Sequence, residues 1–187
     1  MLISHNREKL INAIIFFYEK TTLCNKLKLY KLLYHLDFRH FAETGRSVTG
    51  LGYFAWRNGP VPVELTQEID SPGKDLEEKI DFSYVTQKMG DKEVSVLHIT
   101  PKAKFDSSAF TKRELRLLQE IADEFALSKA EEMIHSTHLP GDPWERVYEQ
   151  EGRPNQEIPY EYAVTGSNAE DLLEAAQEHR EIFLHYV

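Results

Sequence analysis

A chain of 187 residues with a net charge of -9 and one cysteine excludes several classes at once. That length suits one domain burying close to about 70% of the surface its unfolded form exposes, with no disulfide or metal needed to hold it. One cysteine rules out an intramolecular disulfide and makes the cytoplasm the natural compartment. The acidic balance argues against general nucleic-acid affinity, which depends on cationic neutralisation of phosphates. No membrane segment is expected either, since the longest apolar run, Ala13 to Tyr18, is far below the roughly 20 residues a spanning helix needs. Glu8, Asn12 and Glu19-Lys20 likewise break the pattern of a secretory signal. The charge is uneven: residues 1–60 carry nine Lys/Arg against four Asp/Glu, and the remainder 13 against 27. Two halves packing together would produce this, and so would a local basic patch.

In chain order, Ser4 is placed to cap a first helix whose apolar face is Leu10, Ile11, Ile14, Ile15, Phe17 and Tyr18, ending near Thr21-Thr22. The second helix organises the chain. Leu29, Leu32, Leu33 and Leu36 mark one stripe, and Leu27, Tyr30, Tyr34, Phe38 and Phe41 another, so a helix apolar over most of its circumference should lie central and buried. Asn25 suits its N-cap and Gly45 its left-handed stop. Its polar residues Lys28, Lys31, Asp37 and Arg39 must then reach solvent or find partners, because unpaired buried charge is costly. A polar loop leads to a short extended segment, Tyr53 to Trp56; Asn58-Gly59-Pro60 reads as a turn, and Pro60 and Pro62 precede a short helix with Val63, Leu65 and Ile69. Residues 81–100 alternate with period two around Met89-Gly90-Asp91, the pattern of a β-hairpin closed by Pro101.

Thr111 and Glu114 form a capping box, with Phe110 and Leu115 as its hydrophobic staple, for a helix burying Leu115, Leu118, Ile121, Ala122 and Phe125. Ser128 and Glu131 repeat the box for a helix running through Met133 and Ile134 toward His138. A helical turn from Pro143 through Tyr148 and a polar loop over 152–159 follow. Ser167 and Glu170 open a last helix with Leu172, Leu173, Ala176, Ile182 and Phe183. The expected fold is α+β, mainly α: a helical domain around a central buried helix, with a small antiparallel β-hairpin. Residues 1–166 form one domain, and 167–187 a C-terminal helix packed on it or extending it.

No constellation reads as catalytic. There is no P-loop, GxGxxG or GxSxG pattern, and no cofactor is implied. His135 and His138, with Glu131 a turn earlier, are weak metal candidates; the alternative is a histidine that binds the carbonyls of its own helix end. His35 and His40 fall on different helix faces, as core or rim residues. Cys24 reads as a small buried thiol. Arg46 and Trp56-Arg57-Asn58, an aromatic and two arginines bordering a turn, are the residue types that anchor protein interfaces. Equally, Trp56 fits a core position and the arginines fit ion pairs with the acidic remainder.

Lys31-Leu32-Leu33-Tyr34, Asp37-Phe38, His40-Phe41, Thr44-Gly45-Arg46-Ser47, Thr49-Gly50, Tyr53, Ala55-Trp56 and Gly59-Pro60-Val61-Pro62 together resemble the signature of the Panacea (SocA-like) antitoxin domain. Ser136-Thr137-His138, Pro143-Trp144 and Ile158-Pro159-Tyr160 are similar to its C-terminal landmarks, so the resemblance runs from about residue 6 to 164. It departs from the usual pattern at Tyr30, His35 and Leu51-Gly52. The resemblance implies a bacterial or phage antitoxin in a toxin-antitoxin system, phage defence included. It would act without catalysis, binding directly a protein toxin encoded nearby. With the arginines at the turn, it points to a toxin-binding surface of Arg39, Arg46, Tyr53, Trp56, Arg57 and Asn58. Two alternatives stand beside it. One is an adaptor delivering the toxin to a AAA+ protease, with a protease contact after Ser167. The other is a DNA-binding autoregulator, disfavoured because Val63 to Ile69 contains Glu64 and Glu68 and no Lys or Arg.

Overall fold

The computed structural model describes residues 2–90 and 92–185, with side chains except at 2–5, 89, 92, 179 and 182–185. Helix α2 (Lys26–Thr44) is the centre. Asn25 accepts the Lys28 N–H at its start, and Gly45, at φ +70, returns its N–H to Phe41 O at 2.8 Å. Thirteen of its residues, Lys28 to Phe38 with His40 and Phe41, are buried. Helix α1 (Leu2–Lys20) packs along it. This helix begins before Ser4, so Ser4 lies inside it and does not cap it; the Ser4 side chain is outside the described ones. Nothing in Leu2-Ile3 breaks a helix, and the turn therefore extends backward. The buried face is Leu10, Ile11, Ala13 to Phe17, whereas Tyr18 is exposed.

The principal difference from expectation is at Gly59 to Pro62. Strand β1 (Tyr53–Trp56) pairs antiparallel with β2 (Gly59–Pro62), in the register Tyr53 with Pro62 and Trp56 with Gly59. Two prolines within four residues argue against a strand, yet they fall where no N–H is required. Tyr53 and Ala55, opposite Pro62 and Pro60, turn their backbone groups away to residues 155–158: Ile158 N to Tyr53 O, Ala55 N to Gln156 O and Asn155 N to Ala55 O. The pairs Phe54–Val61 and Trp56–Gly59 are left to bond across the hairpin. Pro60 O is thereby free to face α2.

Helix α3 (Val63–Asp70) buries Leu65 and Ile69. A short helix α4 (Lys74–Lys79), unforeseen because only Leu76 among its six residues is apolar, follows it. Strands β3 (Ile80–Met89) and β4 (Lys92–Pro101) form the expected hairpin. It buries Ile80, Leu97 and Ile99, and exposes Tyr84, Val85 and Val94. Asp91, part of the expected turn, lies outside the described residues. Helix α5 (Lys112–Glu124) carries the complete Thr111–Glu114 capping box and buries Leu117, Leu118, Ile121 and Ala122, with Leu115 only partly covered.

Helix α6 (Ala130–His135) begins one residue later than the Ser128 box predicts: the N-cap is Lys129, whose N–H donates to the Glu132 carboxylate. Helix α7 (Pro143–Glu145) continues into a wide π-turn over Arg146–Gln150. Helix α8 (Ala169–His185) starts after Asn168, and Ser167 donates to the Asn168 side chain instead of forming a box with Glu170. The α8 backbone crosses the end of α2, where a Cβ on Gly45 would lie 3.0 Å from Ala176 Cβ and 3.1 Å from Leu172 O. Ile182 and Phe183 are among the undescribed side chains. No helix is long and apolar enough to cross a membrane among the described residues. Among the described residues the architecture is α+β and mainly α, with two separate two-stranded sheets.

The uneven charge resolves mostly into packing. Arg7 bonds Glu68 and Asp75, Lys9 bonds Glu114, Lys26 reaches Asp70, and Arg39 forks onto Glu124 at 2.6 and 3.0 Å. Each joins the basic first third to the acidic remainder. Arg46 and Arg57 are exposed and make no ion pair among the described residues.

Candidate partner-binding site

The residues around the β1–β2 hairpin divide into internal ties and an outward tip. Asp37, fully buried, accepts Val48 N–H and Thr49 N–H on Oδ1 at 2.8 and 2.7 Å, and the Thr49 and Tyr53 hydroxyls on Oδ2 at 2.5 and 2.8 Å. Burial pushes its carboxyl up while these four donors pull it back. Lys31 Nζ donates to Pro60 O at 2.8 Å, Trp144 Nε1 donates to Trp56 O at 2.9 Å, and Tyr160 OH donates to Leu51 O at 2.6 Å. His40 Nδ1 bonds Arg46 O at 2.6 Å. Gly59, at φ +98, lies so close to Lys31 that a Cβ would meet its Nζ at 2.7 Å. The hairpin is therefore fixed to α2, to α7 and to the 155–160 segment.

What it presents is Trp56, 42% exposed, with Arg57 and Asn58 beside it. Beneath them runs a groove of about 400 Å³ between α2, the hairpin and α3, also lined by Lys26, Leu27, Tyr30, Lys31, Val61 and Thr66. Lys31 is 1% exposed and burial lowers its ammonium to about 7. Sequence reasoning required only that Lys31 find a partner and did not place it at an interface. A lysine inside an otherwise apolar helix surface was the signal available.

The six predicted residues do not form one surface. Trp56, Arg57 and Asn58 come together at the tip. Tyr53 is a correction: it is 1% exposed and bonded to Asp37, because alternate residues of a strand face opposite sides and Tyr53 shares the inward face with Ala55. Arg39 is engaged by Glu124 and lies 5.9 Å from the Phe125 ring centroid. Arg46 lines a different cleft of about 950 Å³ at the other end of α2, with Lys9, His40, Lys112, Arg113 and Arg180.

The remaining candidates are occupied internally. His138 Nδ1 bonds Ile134 O, the ring rests on Trp144 at 3.6 Å, and burial lowers its basicity. No group of three His, Cys, Asp or Glu side chains is placed to hold a metal among the described residues, His135 and His138 included. His35, stacked on Phe125 and bonded to Ser136 Oγ, is pushed down to about 3 by burial and by the Arg39 and Lys31 charges. Cys24 is buried, and its thiol is pushed up to about 11. Lys28 is held by the carbonyls of Thr22, Ala126 and Ser128.

These features define a mainly helical α+β domain with a braced hairpin and an apolar groove at its tip. The family model described as "Antitoxin SocA-like, Panacea domain" matches residues 29–145, and the chain belongs to this family. The match runs from within α2 to the end of α7, narrower than the 6–164 span of the resemblance. Neither a curated protein nor a solved structure matches the chain.

Proposed function

We propose that this protein is a non-enzymatic antitoxin that neutralises a protein toxin encoded nearby by direct binding, through Trp56, Arg57 and Asn58 and the groove beneath them. Family membership supports the antitoxin role. The observation supporting this surface is the contrast within one hairpin: inward groups are tied at several points, while outward ones are an exposed tryptophan and an arginine without an ion pair. An exposed aromatic ring on a braced backbone binds with little loss of conformational freedom, and arginine is among the residue types that carry most interface energy. Arg46 lines a different cleft and is left out of this surface. Residues 1–166 carry the activity, with 167–187 as an added helix.

The test is co-purification of the tagged chain with the products of its flanking genes, followed by toxin-neutralisation assays of Trp56→Ala and Arg57→Glu. A stoichiometric, growth-arresting partner whose binding weakens by roughly 30-fold or more in Trp56→Ala is the expected result. Elution of the folded protein alone would overturn direct neutralisation. Toxin half-life with and without AAA+ proteases separates neutralisation by occlusion from delivery for degradation.

A further inference from the structure

The groove beneath Trp56 has a chemistry specific enough to describe its occupant. Its walls are apolar, formed by Leu27, Tyr30, Val61 and the Trp56 ring, and its three charged lining residues, Lys26, Lys31 and Arg57, are all cationic. No Asp or Glu lines it. Lys26 is already engaged, 3.8 Å from Asp70 and 3.2 Å from the Tyr84 hydroxyl. Lys31 is not. An ammonium carries three donors, and among the described residues Lys31 uses one, to Pro60 O, with no ion pair. A 1%-exposed lysine with donors left over, beside an arginine without an ion pair, is complementary to an anion brought in on an apolar carrier.

We propose, resting on the antitoxin reading, that the groove takes an acidic-apolar segment of the toxin. An aromatic or branched side chain lies between Leu27, Val61 and Trp56, and a neighbouring carboxylate accepts from Lys31 Nζ and Arg57. Binding by this route takes up a proton wherever Lys31 is neutral beforehand, because a carboxylate favours the ammonium. The lowering of Lys31 to about 7 puts that change within the usual working range. The groups facing Lys31 do not compete for the anion or titrate in its place. His35 on α2 is held near 3, His138 after α6 is also lowered, Tyr30 is raised by burial, and Thr137 and Thr66 are neutral.

The experiment needs no toxin. Indole-3-acetate and indole-3-acetamide are titrated separately into the isotopically labelled full chain, followed by the Trp56 indole N–H and the Thr66 amide. A fragment of this size should bind with an affinity on the order of 1 mM. At pH 6.5 the acetate should be preferred roughly tenfold, the preference shrinking by pH 8.5. It should be largely lost in Lys31→Met and partly lost in the surface variant Arg57→Gln. Equal affinity for acid and amide, an acid preference untouched by both substitutions, or no shift at Trp56 and Thr66 overturns the proposal. Any of these would leave the antitoxin reading standing, since that depends on co-purification. Failure of co-purification together with a positive fragment result would leave the groove as an acidic-apolar site for some other protein.

Discussion

Replacing Gly59 by alanine tests how the hairpin tip is held. Gly59 sits at φ +98, and a Cβ there would lie 2.7 Å from both Cε and Nζ of Lys31 and 2.8 Å from the Thr137 hydroxyl. The backbone conformation alone costs about 1–2 kcal/mol for a residue with a side chain. Relieving the contact moves Lys31 off Pro60 O, its one hydrogen bond among the described residues, and below about pH 7, where Lys31 carries its charge, such a bond is worth about 1.5–3 kcal/mol. The expected loss is about 2.5–5 kcal/mol, read as a lower urea midpoint at unchanged slope. Shortening Lys31 to alanine removes the two contacts at 2.7 Å and leaves the one with the Thr137 hydroxyl. In that background Gly59→Ala should cost its backbone part, about 1–2 kcal/mol, and the remaining Thr137 contact, but no longer the Lys31–Pro60 hydrogen bond. Costs that simply add, within about 0.5 kcal/mol, would mean that Gly59 does not accommodate Lys31. The account of the tip would then fail.

Three further outcomes follow from the buried groups. The Lys31 ammonium lies below its ordinary value in the folded state, so its neutral form is favoured there. Its contribution to stability is present at high pH and lost as pH falls toward about 7; the unfolding free energy from urea titrations should therefore rise from pH 7 to 9 by up to about 1.4 kcal/mol per pH unit. Lys31→Met should remove that slope, and an identical slope in the variant would refute the assignment. Asp37→Ala strands the Val48 and Thr49 N–H groups in the core and should cost about 2–4 kcal/mol, with hydrogen exchange accelerated at those two amides; a loss under about 1 kcal/mol would contradict the tie. Cys24, buried and with its thiol near 11, should resist a thiol reagent at pH 8 until the protein unfolds, and labelling at the rate of a free thiol would show the site to be open.

Where side-chain pattern and backbone requirement coincide, the fold was legible. Asn25, Gly45 and the doubled apolar stripe specify α2 from end to end, and Thr111 with Glu114 specifies the start of α5. Legibility failed where the deciding term lies elsewhere in the chain. Pro60 and Pro62 look hostile to a strand until residues 155–158 are seen to occupy the other edge of β1. Ser128 and Ser167 have the spacing of capping boxes, yet the chain enters α6 and α8 a residue later, and a local motif cannot fix that entry. The candidate site was half legible. Trp56, Arg57 and Asn58 were singled out by residue type and come together at the tip, but Tyr53 was grouped with them although strand alternation puts it on the opposite face. Arg39 was exposed by type and is neutralised by Glu124, 85 residues away.

The same division bears on how such a domain recognises a partner. Most of the signature-matching side chains around the hairpin, Lys31, Asp37, His40, Tyr53, Trp144 and Tyr160, are engaged in its internal ties. Leu27, Arg57, Asn58 and Thr66 line the groove without belonging to the matched motifs. A tip held by buried hydrogen bonds is costly to move, since each tie broken leaves a polar group unpaired. Its outward residues carry no such penalty and can change without disturbing the core. On the proposed reading, specificity for a particular partner would be written in a few exposed positions on a frame that does not depend on them. Swapping Arg57 and Asn58 for acidic residues should accordingly leave the urea midpoint within about 0.5 kcal/mol of the original while abolishing binding of the acidic-apolar segment. Loss of both together would show that the tip and its frame are one structure.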